Sequence, residues 1–218
     1  MPRYTSAFYF KFNSMKKSRP FIIGITGGIG SGKTTAANHF KKLGFPLYNS
    51  DLRAKEIQNN NTDIIEQIRA IFGENAYLNK SLNKPFIAAQ IFYNKDKLKQ
   101  LNAIIHPAVF KDFEQWRNQQ DSKFVIKEAA ILIESGSYKD CDLIISVIAD
   151  PKIKIKRIQE RDNLTEEEIQ ARMNNQLNDQ DRIKYSDYII ENNSDLDHLY
   201  KVVEKVAIDI KNNSNFDV

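Results

Sequence analysis

The sequence predicts an α/β fold in which a parallel β-sheet is flanked by helices. Five short apolar runs, rich in β-branched and aromatic residues, recur along the 218 residues, and such runs are typical of buried strands. Helical patterns separate the runs, and strands that alternate with helices pair in parallel through right-handed crossovers. Five of the eight glycines lie at positions 24 to 32, at the end of the first run. This clustering predicts a ligand-binding turn after the first strand.

The first strands and the helix between them are predicted from local patterns. Phe21 to Thr26 is an apolar run next to glycines, as expected for a strand that is buried on both faces. Ser31 to Leu43 is compatible with a helix, and Gly44 suits a left-handed C-terminal cap before the second strand at 46–48. The later strands are predicted at 124–126, 143–149 and 188–190.

The segments between the strands predict additional helical parts. The stretch from about 52 to 122 is too long for one crossover helix and contains amphipathic segments at 63–72 and 86–119. We therefore expect an inserted helical subdomain there. Further along, Asp150-Pro151 is a helix start, and Thr165 with Glu168 forms a capping-box pattern that begins a second helix.

Composition and charge exclude several classes of protein. Hydrophobic residues make up 41% of the chain and charged residues 28%, and no apolar run reaches the roughly 18 residues of a membrane helix. Cys141 is the only cysteine and the three histidines are scattered, so neither an intrachain disulfide nor a zinc site is expected. The net charge of +4 arises in the first 20 residues, which hold five basic residues and no acidic one. A general nucleic-acid-binding surface is therefore not expected.

Residues 1–18 are predicted to be a disordered extension, because they carry no strand or helix pattern. Their basic, acid-free composition also suits a targeting peptide, and that alternative stays open.

The turn after the first strand carries a phosphate-binding motif. Gly27 to Thr34, with the sequence GGIGSGKT, fits the pattern G-x-x-x-x-G-K-[ST] between a strand and a helix. Glycines let backbone N–H groups converge on phosphate oxygens, Lys33 supplies a cation, and the Thr34 hydroxyl can coordinate Mg²⁺. The predicted ATP-binding residues are Gly28, Ile29, Gly30, Ser31, Gly32, Lys33, Thr34 and Thr35.

The rest of the sequence favours a kinase over the other proteins that carry this motif. A GTPase needs the guanine-reading pattern N-K-x-D, and the similar stretch Asn94 to Lys97 has its carboxylate in the wrong place. A kinase needs a group that orients or deprotonates the acceptor hydroxyl, and Asp51 follows the second strand, where such a group is expected. Asp51 suits equally well the N-cap of a helix that begins at Leu52, so position alone leaves both roles open.

Taken together, the motifs resemble those of the dephospho-CoA kinase family. They are the run IGITGGIGSGKTT, the triplet Asn49-Ser50-Asp51, the pair His106-Pro107, a strand that ends in an acidic residue six positions before a glutamate, and the segment SDYIIEN. The resemblance extends from about Ile22 to Ile210. It implies a P-loop kinase fold: a five-stranded parallel sheet flanked by helices, an inserted helical substrate-binding subdomain and a lid at about 151–179.

The domain implied by the resemblance covers 19–215. Its core comprises 19–51, 123–150 and 180–211, and the insertion that binds the CoA substrate is expected at about 52–122.

The resemblance implies roles for several acidic and polar residues. Asp51 matches the acidic residue that faces the acceptor hydroxyl. His106 lies in the substrate-binding region, with a capping or core role as the alternative. Glu128 stands where the family has a shorter Asp and is expected near the substrate and Mg²⁺, whereas Ala130 replaces a usual proline. Glu134 ends this motif, either in the site or as a structural partner.

Basic residues correspond to the lid of the family. Arg161 matches an arginine that contacts phosphates, and Arg157 is expected on the same helix face, also over the ATP phosphates. Arg172 and Gln176 match an R-x-x-x-Q pattern that supports the lid or contacts the substrate. The lysines of the same region are expected to form an ordinary exposed, charged helix face. They are Lys152, Lys154 and Lys156.

The resemblance also places a segment near the adenine end of the nucleotide. This segment contains Ser186-Asp187 and Asn192, with a serine where the family commonly has alanine. Asn192 is therefore expected to bind ATP.

The resemblance implies transfer of the ATP γ-phosphoryl group to the ribose 3′-hydroxyl of dephospho-coenzyme A, the last step of coenzyme A synthesis. Lys33, Asp51 and Arg161 are the expected catalytic residues, with Thr34 and Glu128 toward Mg²⁺. The alternatives are another small-molecule or nucleoside monophosphate kinase, and a nucleotide-binding regulatory protein without turnover. We expect a cytoplasmic monomer or small homo-oligomer whose partners are ATP and dephospho-CoA, not nucleic acid or membrane.

Overall fold

The computed structural model describes residues 19–92 and 94–213. The extension predicted at 1–18 lies outside the described residues. The chain folds into two compact units, of which the second runs from Asn49 to Gln119 and the first contains the residues on either side of it. Within the described ranges, no helix is both long and apolar enough to cross a membrane.

Seven strands and nine α-helices lie in the described part of the chain. The strands are β1 (Phe21–Thr26), β2 (Leu47–Asn49), β3 (Tyr77–Leu78), β4 (Ser81–Leu82), β5 (Phe124–Glu128), β6 (Leu143–Ile148) and β7 (Tyr188–Glu191). The helices are α1 (Lys33–Lys42), α2 (Ser50–Asn60), α3 (Thr62–Phe72), α4 (Lys84–Phe92), α5 (Lys95–Asn118), α6 (Pro151–Asp162), α7 (Glu166–Asn174), α8 (Asp179–Ile183) and α9 (Leu196–Asn213).

The main sheet has the strand order β2-β5-β1-β6-β7. The central strand β1 pairs in parallel with both neighbours, and Ile25 lies opposite Glu128 on one side and Ile145 on the other. Every residue of β1 and β5 is buried, which explains the apolar runs at 21–26 and 124–126 of the sequence. The predicted five-stranded parallel sheet is confirmed. Its carboxyl edge carries the ends of β1, β5, β6 and β7.

The core of the first unit lies between the sheet and helices α1 and α9. Phe40 from α1 and Val203 and Ile210 from α9 are fully buried against the sheet residues. Burial of each such side chain stabilises the fold by about 1.5–3 kcal/mol. Phe40→Ala would also leave a cavity and would cost about 3–5 kcal/mol.

Helix ends follow the capping signals in the sequence. Gly44 has φ of 90° and follows Leu43, the C-cap of α1, as a left-handed helix end requires. The Asp150 side chain accepts a hydrogen bond from the Lys152 N–H at 2.8 Å, and Thr165 with Glu168 forms the complete capping box of α7. These predicted caps are confirmed.

The second unit has its own apolar core, formed by helices α2 to α5 and the β3–β4 hairpin. Its buried residues include Ile57, Ile64, Ile68, Phe72, Tyr77, Ile87, Leu101 and Ile105. The amphipathic segment predicted at 63–72 corresponds to α3, whereas the one predicted at 86–119 contains two helices, α4 and α5.

An ion-pair network joins α2 to α5 within the second unit. The Arg53 guanidinium donates to both Asp112 oxygens at 2.9 and 2.5 Å and to Glu56 at 2.5 Å. The pKa of Arg53 is raised above its usual value, mainly because the guanidinium donates a hydrogen bond to Asp112. The fork therefore fixes the orientation of the helix whose first turn carries Asp51.

Candidate active site

The glycine-rich loop connects the end of β1 to the start of α1 at the carboxyl edge of the sheet. Gly30 and Gly32 adopt φ of 77° and 90°, a region that L side chains rarely enter. A Cβ at Gly30 would lie 2.8 Å from the Lys154 carbonyl oxygen, and one at Gly32 would overlap the Asn192 side-chain amide. Conformation and space therefore both require glycine at these positions.

The motif lysine and threonine converge on Glu128, the last residue of β5. The Thr34 hydroxyl donates to Glu128 Oε1 at 2.5 Å, and Lys33 Nζ lies 3.9 Å from the same oxygen. The Glu128 side chain is only 1% exposed. The structure therefore brings together the three residues that the sequence assigned to phosphate and metal binding.

This donor set fits Mg²⁺ bound together with nucleotide phosphates. Among the described residues, no group of three or more His, Cys, Asp or Glu side chains could hold a metal ion alone. Mg²⁺ in kinases is commonly held by one or two protein oxygens plus phosphate oxygens and water. The Thr34 hydroxyl and the Glu128 carboxylate supply two protein oxygens of that kind.

Asn192 supports the loop from the end of β7. Its side-chain amide donates to the Ser31 carbonyl at 2.8 Å. Arg157 in turn donates to the Asn192 carbonyl at 3.0 Å and to the Ser194 carbonyl at 3.3 Å. The Ser31 hydroxyl is buried and makes no hydrogen bond with the residues described. Arg157 and Asn192 thus brace the loop, which leaves one buried hydroxyl available inside it.

Gln176 and Lys154 contact the first half of the loop. The Ile29 N–H donates to Gln176 Oε1 at 2.8 Å. Lys154, whose side chain is 7% exposed, forms an ion pair with Asp179 next to Gly28. The expectation that Lys154 lies on an exposed charged face is wrong, because its position in α6 faces the loop. Neither Lys154 nor Asp179 was predicted as a site residue.

Arg161 lies at the exposed end of α6. Two of its N–H groups donate to the two Asp162 oxygens at 2.7 Å. This fork lowers the pKa of the Asp162 carboxyl, and the charge of Arg172 lowers it further. Arg157 and Arg161 therefore have different partners, although they lie on one helix face.

Glu134 has structural partners. Its carboxylate accepts from the Leu177 N–H at 3.0 Å and from Arg182 at 3.4 Å, and the Arg182 side chain is fully buried. Glu134 therefore anchors the segment that follows α7, in agreement with the structural alternative for this residue.

Ser186 and Asp187 lie near the start of β7. Asp187 accepts from the Ile144 N–H at 2.9 Å, and the Ser186 hydroxyl contacts the Ser146 hydroxyl at 2.6 Å. Because β6 and β7 run in parallel, Asp187 lies toward the edge of the sheet opposite to the loop. Asn192 is the residue of this segment that reaches the loop.

Asp51 lies in the first turn of α2 in the second unit. The helix begins at Ser50, and its N-cap is Asn49, whose side chain accepts from the Leu52 N–H at 2.8 Å. The alternative that Asp51 caps a helix starting at Leu52 is therefore wrong.

His106 is an exposed residue in the interior of α5. Partial loss of hydration lowers the pKa of its imidazole. Because it is neither at a helix end nor in the core, the capping and core alternatives are both wrong.

Comparison with known proteins identifies the family. A profile of the family described as dephospho-CoA kinase matches residues 21–198. The chain belongs to the dephospho-CoA kinase family. A dephospho-CoA kinase from Fusobacterium nucleatum is 39% identical over 186 residues, which cover 84% of this chain and 95% of the relative.

Solved structures agree with this membership. A dephospho-CoA kinase from Campylobacter jejuni has a TM-score of 0.65 at 27% identity, covering 88% of this chain and 98% of its own. A protein from Thermus thermophilus has a TM-score of 0.79 at 28% identity, covering 88% of this chain and 99% of its own. The P-loop kinase fold predicted from the sequence is confirmed.

Proposed function

We propose that the protein transfers the γ-phosphoryl group of ATP to the ribose 3′-hydroxyl of dephospho-CoA, yielding CoA and ADP. The observation that carries this proposal is the convergence of Lys33 and Thr34 on the buried Glu128 at the base of the glycine-rich loop, in a chain of the dephospho-CoA kinase family. A loop of this kind holds a nucleoside triphosphate through backbone N–H groups and the lysine.

The loop and the lid hold the phosphates. The buried Ser31 hydroxyl and the Lys33 ammonium are donors for phosphate oxygens, and the backbone N–H groups at the start of α1 add to them. Asn192 and Arg157, which the resemblance assigns to ATP binding, also hold the loop in its conformation. Arg161 is exposed and, within the described ranges, donates its hydrogen bonds only to its neighbour Asp162, so it can exchange that partner for the migrating phosphoryl group.

In this proposal Thr34 and Glu128 would hold Mg²⁺, which would neutralise part of the charge that develops on the phosphates. The Thr34 hydroxyl and the nearby Lys33 ammonium stabilise the buried Glu128 carboxylate. Glu128 is longer than the Asp expected for the family at this position, and its carboxylate lies within hydrogen-bond distance of the Thr34 hydroxyl.

Asp51 accepts the proton of the acceptor hydroxyl. As that proton moves to the Asp51 carboxylate, the ribose oxygen forms a bond to the γ-phosphorus, the bond from this phosphorus to the β–γ bridging oxygen breaks, and ADP leaves. The support for this role is that Asn49 already caps the helix, so capping does not explain a carboxylate at position 51. His106, Arg172 and Gln176 are proposed to contact the acceptor or support the lid around it.

An acceptor-panel assay tests the proposed substrate. ADP release is measured with dephospho-CoA, nucleoside monophosphates and other small alcohols, and the position of the new phosphate is assigned by NMR. We expect dephospho-CoA to be used at least a hundredfold more efficiently than any other acceptor, because a site built to bind the acceptor's polar groups rejects molecules that lack them. Preferred use of a nucleoside monophosphate would contradict the proposal, as would a product phosphorylated away from the ribose 3′ position.

We further propose that the protein acts in the cytoplasm on these two small molecules. Its single cysteine suits a reducing compartment. Its net charge after residue 20 is close to zero, which does not favour nucleic acid as a partner.

A further inference from the structure

A polar cluster around the buried Lys154 lies against the first half of the glycine-rich loop, within the first unit. A methyl group at Gly28 would lie 3.6 Å from Lys154 Nζ, 3.7 Å from Gln176 Oε1 and 3.8 Å from Asp179 Oδ1. These groups border a cavity of about 580 Å³ that is also lined by Ile29. Three polar side chains from two parts of the chain therefore meet at one point of the loop.

Lys154 differs from the neighbouring lysines of the same helix. Its side chain is 7% exposed and paired with Asp179, whereas the Lys156 side chain is 78% exposed and lies 4.0 Å from Glu160. A lysine is rarely buried unless it is paired, since removing its charge from water is costly. The Lys154 carbonyl also packs against Gly30, so the backbone of this turn holds the ammonium in place beside the loop.

The contacts of this cluster match those of a bound phosphate. The Ile29 N–H and the Lys154 ammonium are donors that point at one small region, and their acceptors are the Gln176 amide oxygen and the Asp179 carboxylate. An amide oxygen and a carboxylate present the same acceptor atoms as phosphate oxygens. These donors are thus paired with side-chain oxygens of the chain itself. In the nucleotide complex, phosphate oxygens would take the place of these side-chain oxygens.

We propose that Lys154 is a second phosphate-binding lysine of the nucleotide site. Until the nucleotide binds, Asp179 and Gln176 occupy the positions of the phosphate oxygens and accept the hydrogen bonds of the Lys154 ammonium and the Ile29 N–H. This inference rests on the proposed nucleotide-binding function of the loop. When the phosphates arrive, the Lys154 ammonium and the Ile29 N–H exchange their side-chain acceptors for phosphate oxygens. Lys154 then acts from the side of the loop opposite to the Lys33–Glu128 pair, and Asp179 competes with the nucleotide for it.

The two members of the ion pair must therefore have opposite effects on nucleotide affinity. Lys154→Met removes a charged phosphate contact and should weaken MgATP binding about ten- to a hundredfold. Asp179→Asn removes the competing carboxylate and its repulsion of phosphate, and should tighten MgATP binding about threefold or more. A purely structural ion pair predicts the same direction for both variants, namely weaker binding and lower stability.

The experiment is isothermal titration calorimetry of MgATP with the full chain and its Lys154→Met, Asp179→Asn and Lys156→Met variants. Thermal melting and phosphoryl transfer to dephospho-CoA are measured in parallel. Lys156→Met is the matched control, because it removes the same charge from the same helix at an exposed position, and it should leave affinity within about twofold of the parent.

The outcomes separate this inference from the proposed function. Opposite shifts for Lys154→Met and Asp179→Asn support the inference. Unchanged or weaker binding by Asp179→Asn overturns it, even where Lys154→Met is too unstable to assay, and leaves the function intact if the parent binds MgATP and phosphorylates dephospho-CoA. A parent that does not bind MgATP overturns both.

Discussion

The Asn192 side-chain amide lies directly over Gly32, and it donates a hydrogen bond to the Ser31 carbonyl at 2.8 Å. A residue at the end of β7 therefore holds the conformation of a loop that begins after β1. Arg157 completes this support by donating to the Asn192 carbonyl. The loop is thus preorganised by the strand end and by α6, and binding does not have to supply the free energy that orders it.

The contact between Gly32 and Asn192 predicts coupling between their substitutions. Gly32→Ala should destabilise the fold by more than the roughly 1–2 kcal/mol of a left-handed alanine, because its methyl group also overlaps the Asn192 amide. Asn192→Ala should cost about 1–3 kcal/mol, because the buried Ser31 carbonyl loses its donor. The loss of stability in the double variant should be smaller than the sum of the two single losses by about 1 kcal/mol or more, since Asn192→Ala removes the overlap.

Denaturant unfolding of the four proteins measures this coupling. Gly44→Ala serves as the control, because Gly44 has the same φ of 90° but no atom within 4 Å of an added methyl group. Its cost should reflect conformation alone and be unaffected by Asn192→Ala. Additive losses for Gly32→Ala and Asn192→Ala would contradict the close contact between these residues.

Glu128 should tolerate a shorter carboxylate better than an uncharged isostere. Glu128→Gln keeps the shape but loses the negative charge toward Mg²⁺ and Lys33, and turnover should fall about 10²- to 10³-fold. Glu128→Asp keeps the charge and restores the family's usual residue, and we expect turnover within about tenfold of the parent. Steady-state kinetics as a function of Mg²⁺ concentration distinguish the two variants, with melting as a control. Equal turnover of the Gln variant and the parent would remove Glu128 from the proposed metal site.

Much of the fold and part of the site can be predicted from the sequence, because they depend on patterns of neighbouring residues. The apolar runs, the capping residues and the glycine-rich motif each specify structure over a few neighbouring residues. The assignment of Thr34 and Glu128 to one site follows because parallel strands end at one edge of the sheet.

The features that were not predicted depend on tertiary contacts. Lys154 has the same local sequence character as Lys152 and Lys156, and only the packing of α6 against the loop separates them. The β3–β4 hairpin has strands of two residues and a turn with positive φ at Asn79 and Lys80, too short for a periodic pattern.

His106 should titrate below the usual histidine pKa of about 6.5, because its surroundings on α5 remove part of its hydration. A lowered pKa means that the folded state binds fewer protons than the unfolded state in the window between the two pKa values. Stability is therefore fully present above about pH 6.5 and falls as the pH drops through that window toward the folded pKa. NMR titration of the imidazole checks the direction of the shift, and His106→Gln should remove this part of the pH dependence. A titration midpoint above about 6.5 would show that a negative group, not desolvation, dominates at this site.

Asp51 provides the last test, because its position in the helix has an equivalent that is not assigned to the site. Asp51 is the second residue of α2 after the Asn49 cap, and Asp63 is the second residue of α3 after the Asn61 cap. Asp51→Asn and Asp63→Asn should each lose only about 0.3–1 kcal/mol of stability, from the interaction with the helix dipole. Turnover should differ sharply: a decrease of about 10²- to 10⁴-fold for Asp51→Asn, since an amide cannot accept the hydroxyl proton, and almost none for Asp63→Asn.

Single-turnover phosphoryl transfer to dephospho-CoA measures the difference, and MgATP calorimetry and melting serve as controls for both variants. MgATP affinity should stay within about threefold of the parent for Asp51→Asn, because the loop donors and Lys33 hold the nucleotide. A slow Asp51→Asn variant beside a normal Asp63→Asn variant assigns the loss to proton transfer, since charge and helix position are matched. Equal rates for the two variants would mean that another carboxylate, with Glu128 the first to test, orients the acceptor hydroxyl.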